Sequence, residues 1–267
     1  MRSLRKTILD KRNKLRKLSA AGYSATDIAK EIDITAKFNI FELYQKIGVK
    51  ATYVAEIGPA TPELAQCRDE LIRQAWQDYL IKNYPHQCQT PKNYAPGRFL
   101  LVEAREDATV ALGLLWGHLE NVKVLHGAIA DNPGFVEMNW VGDSTFTTGM
   151  ASPFSMNPQK KKSKATFVAP SERFSEIDDG TIDTLIVDIE GAEWFVIKHM
   201  KSKPLVVSLE THSLNPSCPE HEYINEFIDE IDAWMQENRY VRYKILFGDT
   251  IFLREDFYKS LMAAEKR

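Results

Sequence analysis

A chain of 267 residues, 44% hydrophobic and 27% charged, with a formal net charge of -3, has the length and apolar content for one large domain with a full core. That charge excludes a protein whose main business is holding nucleic acid by bulk electrostatics, although local basic patches stay open. Three scattered cysteines, Cys67, Cys88 and Cys218, with no C-x-x-C spacing, fit a reducing cytoplasm rather than a disulfide framework and offer no zinc site, and no apolar run approaches the ~20 residues that span a bilayer.

Residues 1–19 carry eight lysines and arginines against Asp10 alone, with Leu4, Ile8, Leu15 and Leu18 as a thin apolar stripe. This predicts a basic amphipathic helix, read first as a solvated face and second as a surface for an anionic partner. Ser24 and Asp27 resemble a capping box and open a second short helix through Ile32. A third helical pattern, Phe38 to Ile47, stops at Gly48. Residues 1–35 are therefore expected to be a basic helical appendage and 36–267 the main domain.

The first sheet strand is predicted over Ala51–Ile57. It runs into Gly58-Pro59-Ala60 and a helix from about Pro62. Strand, glycine turn and helix form the unit that brings backbone close to a nucleotide, although Gly58 is the single glycine where a full fingerprint has three. The next strand, Arg98–Val102, ends in Glu103, the position from which an acid hydrogen-bonds a ribose in such folds; a surface glutamate is the alternative. A helix follows over Ala108–Leu119 with Asp107 as its cap. A third strand, Val122–Leu125, then leads into the small residues Gly127-Ala128-Ile129-Ala130, which let a flat ring approach.

From Asp131 the pattern loosens. Strands are predicted over Phe135–Trp140 and Thr166–Ala169, with an irregular, Ser/Thr/Gly-rich Gly142–Gln159 and a lysine run at 160–164 between them. A long irregular segment inside a domain reads as an active-site lid or a disordered loop, so residues 131–180 are expected to be an insert or lid.

Thr184–Trp194 is the densest stretch of chemistry. Leu185-Ile186-Val187 is a continuous apolar run of the kind buried on both faces of a parallel sheet, and Asp188, Glu190 and Glu193 follow within six residues. Period-two alternation predicts that Asp188 and Glu190 share one side of an extended segment, before a helix begins at Gly191. One of the three acids suffices to cap that helix; the rest sit where ligands bind an open α/β sheet, outside the carboxyl ends of its strands. A neighbouring strand, Pro204–Leu209, ends in Glu210-Thr211-His212, so Glu210 and His212 face the same crevice if the two strands are parallel. His212 has the pKa range of a general base; a hydrogen-bonded structural histidine is the other reading. A helix from Pro219 through Met235 and a β-hairpin, Tyr240–Phe247 with Thr250–Leu253, close the sequence.

The motif DTLIVDIEGAEWFVIKHM, residues 183–200, resembles the D-x-x-K-x-D-x-E-G-x-E signature of the FkbM-type S-adenosylmethionine-dependent methyltransferases. AEIGPA, LVEA, VLHGAIAD and VVSLE follow the order of that family. The likeness spans about residues 36–254. It implies an α/β, Rossmann-like fold with a seven-stranded sheet and a C-terminal antiparallel hairpin, with S-adenosyl-L-methionine as cofactor. It further implies that Glu56, Gly58 and Ala60 line the methionine end of the cofactor, Glu103 its ribose and Ala128 its adenine. Asp188 and Glu190 would then face the methyl-transfer site, beside Glu210 and His212. The acceptor the family implies is a hydroxyl on a sugar or other small metabolite.

Two functions follow as expectations. The first is a cytoplasmic O-methyltransferase acting on a small-molecule or glycan acceptor, without nucleic acid or membrane as partner. The second is a non-catalytic relative of the fold that binds a partner through its N-terminal helices, motivated by the reduced glycine turn. Metal use and oligomeric state are left open by the sequence.

Overall fold

The computed structural model describes residues 40–59, 97–117, 119–141, 144–149, 165–211, 227–245 and 249–266. The predicted appendage, Ala60, the lysine run and His212 lie outside the described residues. A sheet of seven strands organises the rest: β1 (Tyr53–Ile57), β2 (Arg98–Glu103), β3 (Val122–His126), β8 (Thr184–Val187), β9 (Val206–Glu210), β10 (Tyr240–Ile245) and β11 (Asp249–Arg254). Their order is β3-β2-β1-β8-β9-β11-β10. The first five are parallel, while β11 runs antiparallel to both β9 and β10. The order reverses between β1 and β8, and this switch point of a doubly wound sheet leaves a crevice at the strands' carboxyl ends. The architecture is α/β and Rossmann-like, with a mixed seven-stranded sheet and a terminal hairpin.

Period two sorts the strand residues onto the two faces. Ala55, Ile57, Leu100, Val102, Leu185, Val187, Val207, Leu209 and Phe252 point to one face. There they pack against Phe174 of α3 (Phe174–Ile177) and against α4 (Glu193–Ile197) and α5 (Ile228–Glu237) through Val196, Ile197, Ile231 and Met235. Val54, Phe99, Ile186, Val206, Ile251 and Leu253 point to the other. Leu43 and Tyr44 of α1 (Ile40–Lys46) and Phe257 and Leu261 of α6 (Glu255–Ala264) cover that face. Burying a side chain such as Leu185, fully enclosed here, is worth roughly 1.5–3 kcal/mol. The Tyr44 hydroxyl donates to the Asp183 carbonyl at 2.9 Å, tying α1 to the entrance of β8.

Three elements depart from the sequence reading. Helix α2 (Glu106–Trp116) starts two residues before the predicted Ala108, and Asp107 does not cap it. Asp107 instead receives the Arg105 guanidinium, with Nε at 3.0 Å from Oδ1, because an arginine fork on a carboxylate outweighs a single N–H bond. Helix α6 lies beyond the predicted hairpin and was not foreseen. The segment read as a loosely patterned insert carries a second, four-stranded sheet in the order β4-β7-β5-β6. Its strands are β4 (Ala128–Ile129), β5 (Gly134–Val141), β6 (Ser144–Thr147) and β7 (Ala165–Glu172). The chain passes from β3 into this sheet within two residues. Met138 and Ala169 are buried with Ala128, while Phe135 and Val168 stand exposed. Among the described residues no helix is long and apolar enough to cross a membrane.

Candidate active site

A cavity of ≈ 220 Å³ opens at the carboxyl ends of β1, β2 and β8. Glu56, Gly58, Glu103, Asp188 and Glu190 line it from the main sheet and its turns, and Ala128, Met138, Thr145 and Thr147 from the second sheet. The glycine turn is geometrically demanding. Gly58 has φ 85°, its N–H donates to the Val102 carbonyl at 2.9 Å, and a Cβ built there would lie 1.9 Å from the Asp188 carbonyl oxygen. Only glycine allows this turn to rest on the backbone of the acidic strand end.

Glu103 closes β2 with 3% of its surface exposed. Its Oε1 accepts the Arg105 N–H at 2.8 Å, and its Oε2 is buried with no partner. Burial pushes its pKa up to about 7, against the lowering hydrogen bond and charge of Arg105. Glu56 is buried on β1 between β2 and β8, and Ala128 is buried at the start of β4.

The acidic stretch is a tight turn. The Asp188 N–H donates to the Ile57 carbonyl at 3.0 Å, continuing the parallel ladder by one residue. The chain then folds through Glu190 at φ 56° and Gly191 at φ 107°. Extended alternation therefore does not bring Asp188 and Glu190 together, as the sequence reading held; a left-handed turn does. Glu193 makes that turn possible. It is fully buried, and its Oε1 accepts the N–H of Ile189 at 3.1 Å and of Gly191 at 3.2 Å. Burial raises its pKa to about 7 although these bonds lower it. Of the three clustered acids, Glu193 is the structural one.

Asp188, Glu190 and Glu210 each offer a carboxylate oxygen within 4.8 Å of the others. The parallel β8–β9 ladder pairs Val187 with Leu209, so both strands end level and Asp188 and Glu210 follow side by side. All three are half-buried. Glu210 is held well above the usual carboxylate range, first by burial and then by the charges of Asp188, Glu190, Glu193 and Asp249. Burial raises Asp188 too, against a lowering hydrogen bond from Glu210. Burial and the neighbouring acids thus favour the protonated form of Glu210, and its hydrogen bond favours the charged form of Asp188. Three oxygen donors at this spacing are also the ligand type that hard cations take.

Asp249 is not among the site residues expected from the sequence; it falls between the two predicted hairpin strands. It stands opposite Glu210 in the β9–β11 ladder, and burial, then the charges of Asp188 and Glu193, raise its pKa to about 7. Only knowledge that β11 neighbours β9 would have pointed to it.

Three solved structures resemble the fold. A SAM-dependent methyltransferase from Aquifex aeolicus shares 12% identity over 87% of this chain and 99% of its own, with a TM-score of 0.34. A putative O-methyltransferase from Klebsiella pneumoniae shares 12% over 80% and 76%, at 0.36. The 16S rRNA methylase ArmA shares 10% over 91% and 95%, at 0.36. Likeness at this level bears on neither activity nor acceptor. Comparison with curated proteins gives no match. The family model of the methyltransferase FkbM domain matches residues 93–242, more than half of the chain, and takes in β2, the second sheet, the acidic turn and β9. The chain belongs to the FkbM methyltransferase domain family.

Proposed function

We propose that this protein is an S-adenosyl-L-methionine-dependent methyltransferase that methylates a hydroxyl oxygen on a sugar or other small metabolite. The observation that carries the reading is Glu103: a buried carboxylate whose Oε2 has no partner, lining the same cavity as the Asp188–Glu190 turn. A carboxylate oxygen left unsatisfied in a buried wall is costly unless a ligand donates to it, and vicinal ribose hydroxyls are such donors. The Gly58 turn, which leaves no room for a side chain, and the small Ala128 fit the rest of the cofactor in the same cavity.

In this reading Glu103 holds the ribose, Ala128 meets the adenine, and Glu56, Gly58 and Ala60 form the methionine end. The cofactor supplies an electrophilic methyl group when bound. The chain's own residues place the acceptor and move its proton. Asp188 and Glu190 orient the acceptor hydroxyl at the end of β8, and a carboxylate of the Asp188–Glu190–Glu210 set takes the proton as charge develops on oxygen. Glu210, whose pKa is held high, tunes Asp188 through their hydrogen bond. His212, two residues past the end of β9 in the sequence, is a second candidate base.

Isothermal titration of the purified chain with S-adenosylmethionine and with S-adenosylhomocysteine tests the cofactor. Binding of both at micromolar concentration is expected, and absence of either heat signal removes the enzyme reading. Mass spectrometry of cell extracts incubated with isotopically labelled cofactor then identifies the acceptor. A label found on nitrogen or carbon, with none on oxygen, would overturn the hydroxyl assignment.

A further inference from the structure

The β5–β6 hairpin of the second sheet supplies a wall of the cavity that the functional reading does not use. Of the hairpin's three lining residues, Met138, Thr145 and Thr147, Thr147 is satisfied, its hydroxyl donating to the Met138 sulfur at 3.6 Å. The Thr145 hydroxyl is not: it is shielded from solvent and has no hydrogen-bond partner. A hydroxyl both donates and accepts, and burying one without a partner is unfavourable unless a ligand or water completes it.

Position decides which end of the cavity Thr145 serves. It faces Trp140 across the β5–β6 ladder. The Arg105 guanidinium lies 4.0 Å from the Trp140 ring centroid, and Arg105 is 3% exposed. Arg105 is also the residue whose N–H binds Glu103 Oε1. A continuous line of contact, Thr145 to Trp140 to Arg105 to Glu103, therefore fixes the β5–β6 hairpin against the end of β2. Three buried polar atoms without partners gather along that line: Glu103 Oε2, an acceptor; Arg105 Nη1, a donor; and Thr145 Oγ1.

We infer that Thr145 is a hydrogen-bonding residue for the adenosine half of the bound cofactor, so that the second sheet is a wall of the binding site. The inference rests on the cofactor reading above. Adenosine carries both donors and acceptors along its ribose and purine edges, which matches a carboxylate and a hydroxyl lining one cavity.

The test uses the full chain and two probes, S-adenosylhomocysteine and free adenosine, by isothermal titration. Thr145→Val is expected to weaken both by about tenfold, and by the same factor, while Thr145→Ser stays within about threefold of wild type. The ligand-free melting temperature of each variant shows that the fold is kept; if Thr145→Val fails to fold, Thr145→Ala removes the hydroxyl without added bulk and carries the same expectation. Unchanged affinity for both probes in a folded variant overturns the inference, as does a loss confined to S-adenosylhomocysteine, which would place Thr145 at the methionine end. Wild-type protein that binds neither probe overturns the cofactor reading along with it.

Discussion

The two ends of the cavity hold carboxylates in opposite surroundings. At the end of β2, Glu103 sits beside a cation: Arg105 donates its N–H to one oxygen, lends its charge, and leaves the other oxygen open to the cavity. At the ends of β8, β9 and β11, carboxylates face carboxylates: on top of burial, the charges of Asp188 and Asp249 raise Glu210, and that of Asp188 raises Asp249. A lone acid with a satisfied oxygen is built to bind. A set of acids that cannot all ionise is built to hold and release protons. In the proposed function binding falls to the first end and chemistry to the second, and the predictions below perturb each end without the other.

The largest effect is expected where the two ends touch, at Gly58. Gly58→Ala places a Cβ on the Asp188 carbonyl at a position with φ 85°, so cofactor affinity should fall by more than about hundredfold or the protein should lose about 3 kcal/mol of stability. Titration calorimetry and thermal melting read the two; wild-type values in both would mean that the turn does not rest on the acidic strand. Next comes the binding end. Glu103→Ala should weaken S-adenosylhomocysteine by about 1.5–3 kcal/mol, roughly tenfold to a hundredfold, while the protein stays folded. Affinity unchanged in a folded variant moves the ribose contact elsewhere.

The chemistry end should respond in turnover alone. Asp188→Asn and Glu190→Gln keep shape and lose charge, so kcat should drop about tenfold or more, with cofactor affinity within about threefold of wild type. His212→Gln follows them only if His212 is the base. Full turnover in both acid variants would leave the acids as structure. The smallest effect concerns pH. Glu103, Glu193 and Asp249 have folded pKa values of about 7, above the 3.8 to 4.5 of free carboxyls, so the folded state holds more protons than the unfolded one between those limits. Stability is then full below the unfolded values and is lost as pH rises through the folded ones. The melting temperature of the ligand-free protein should fall by a few degrees between about pH 5 and about pH 8, and Asp249→Asn should flatten that slope. A melting temperature that rises over this interval would show that the cluster is offset by a bound cation or base.

Much of this molecule was legible in its residues. Apolar runs marked β1, β2, β8 and β9 because a strand covered on both faces has no solvent side and needs no polar residue. Gly58, Glu103 and the acids from Asp188 to Glu193 stood out because unlike neighbours break those runs at their ends. The terminal hairpin was equally plain, as two alternating segments around a glycine. Local pattern also failed in specific ways. The polar run Ser144–Thr147 becomes a strand only because β5 offers an edge to pair with, and α6 is stabilised by docking Phe257 and Leu261 on the sheet.

The sequence by itself determined which residues are buried strands, which carboxylates end them, and that one acid in the cluster would serve the backbone. Only the tertiary structure decided that this acid is Glu193, because fixing the turn depends on which carboxylate can fold back onto the N–H groups of Ile189 and Gly191. Strand order, likewise, is set by packing across the whole sheet and not by neighbours in the chain. That order puts Asp249 beside Glu210, and the seating of the second sheet on β2 puts Thr145 in the same cavity as Glu103; both are non-local contacts that no short stretch of sequence contains.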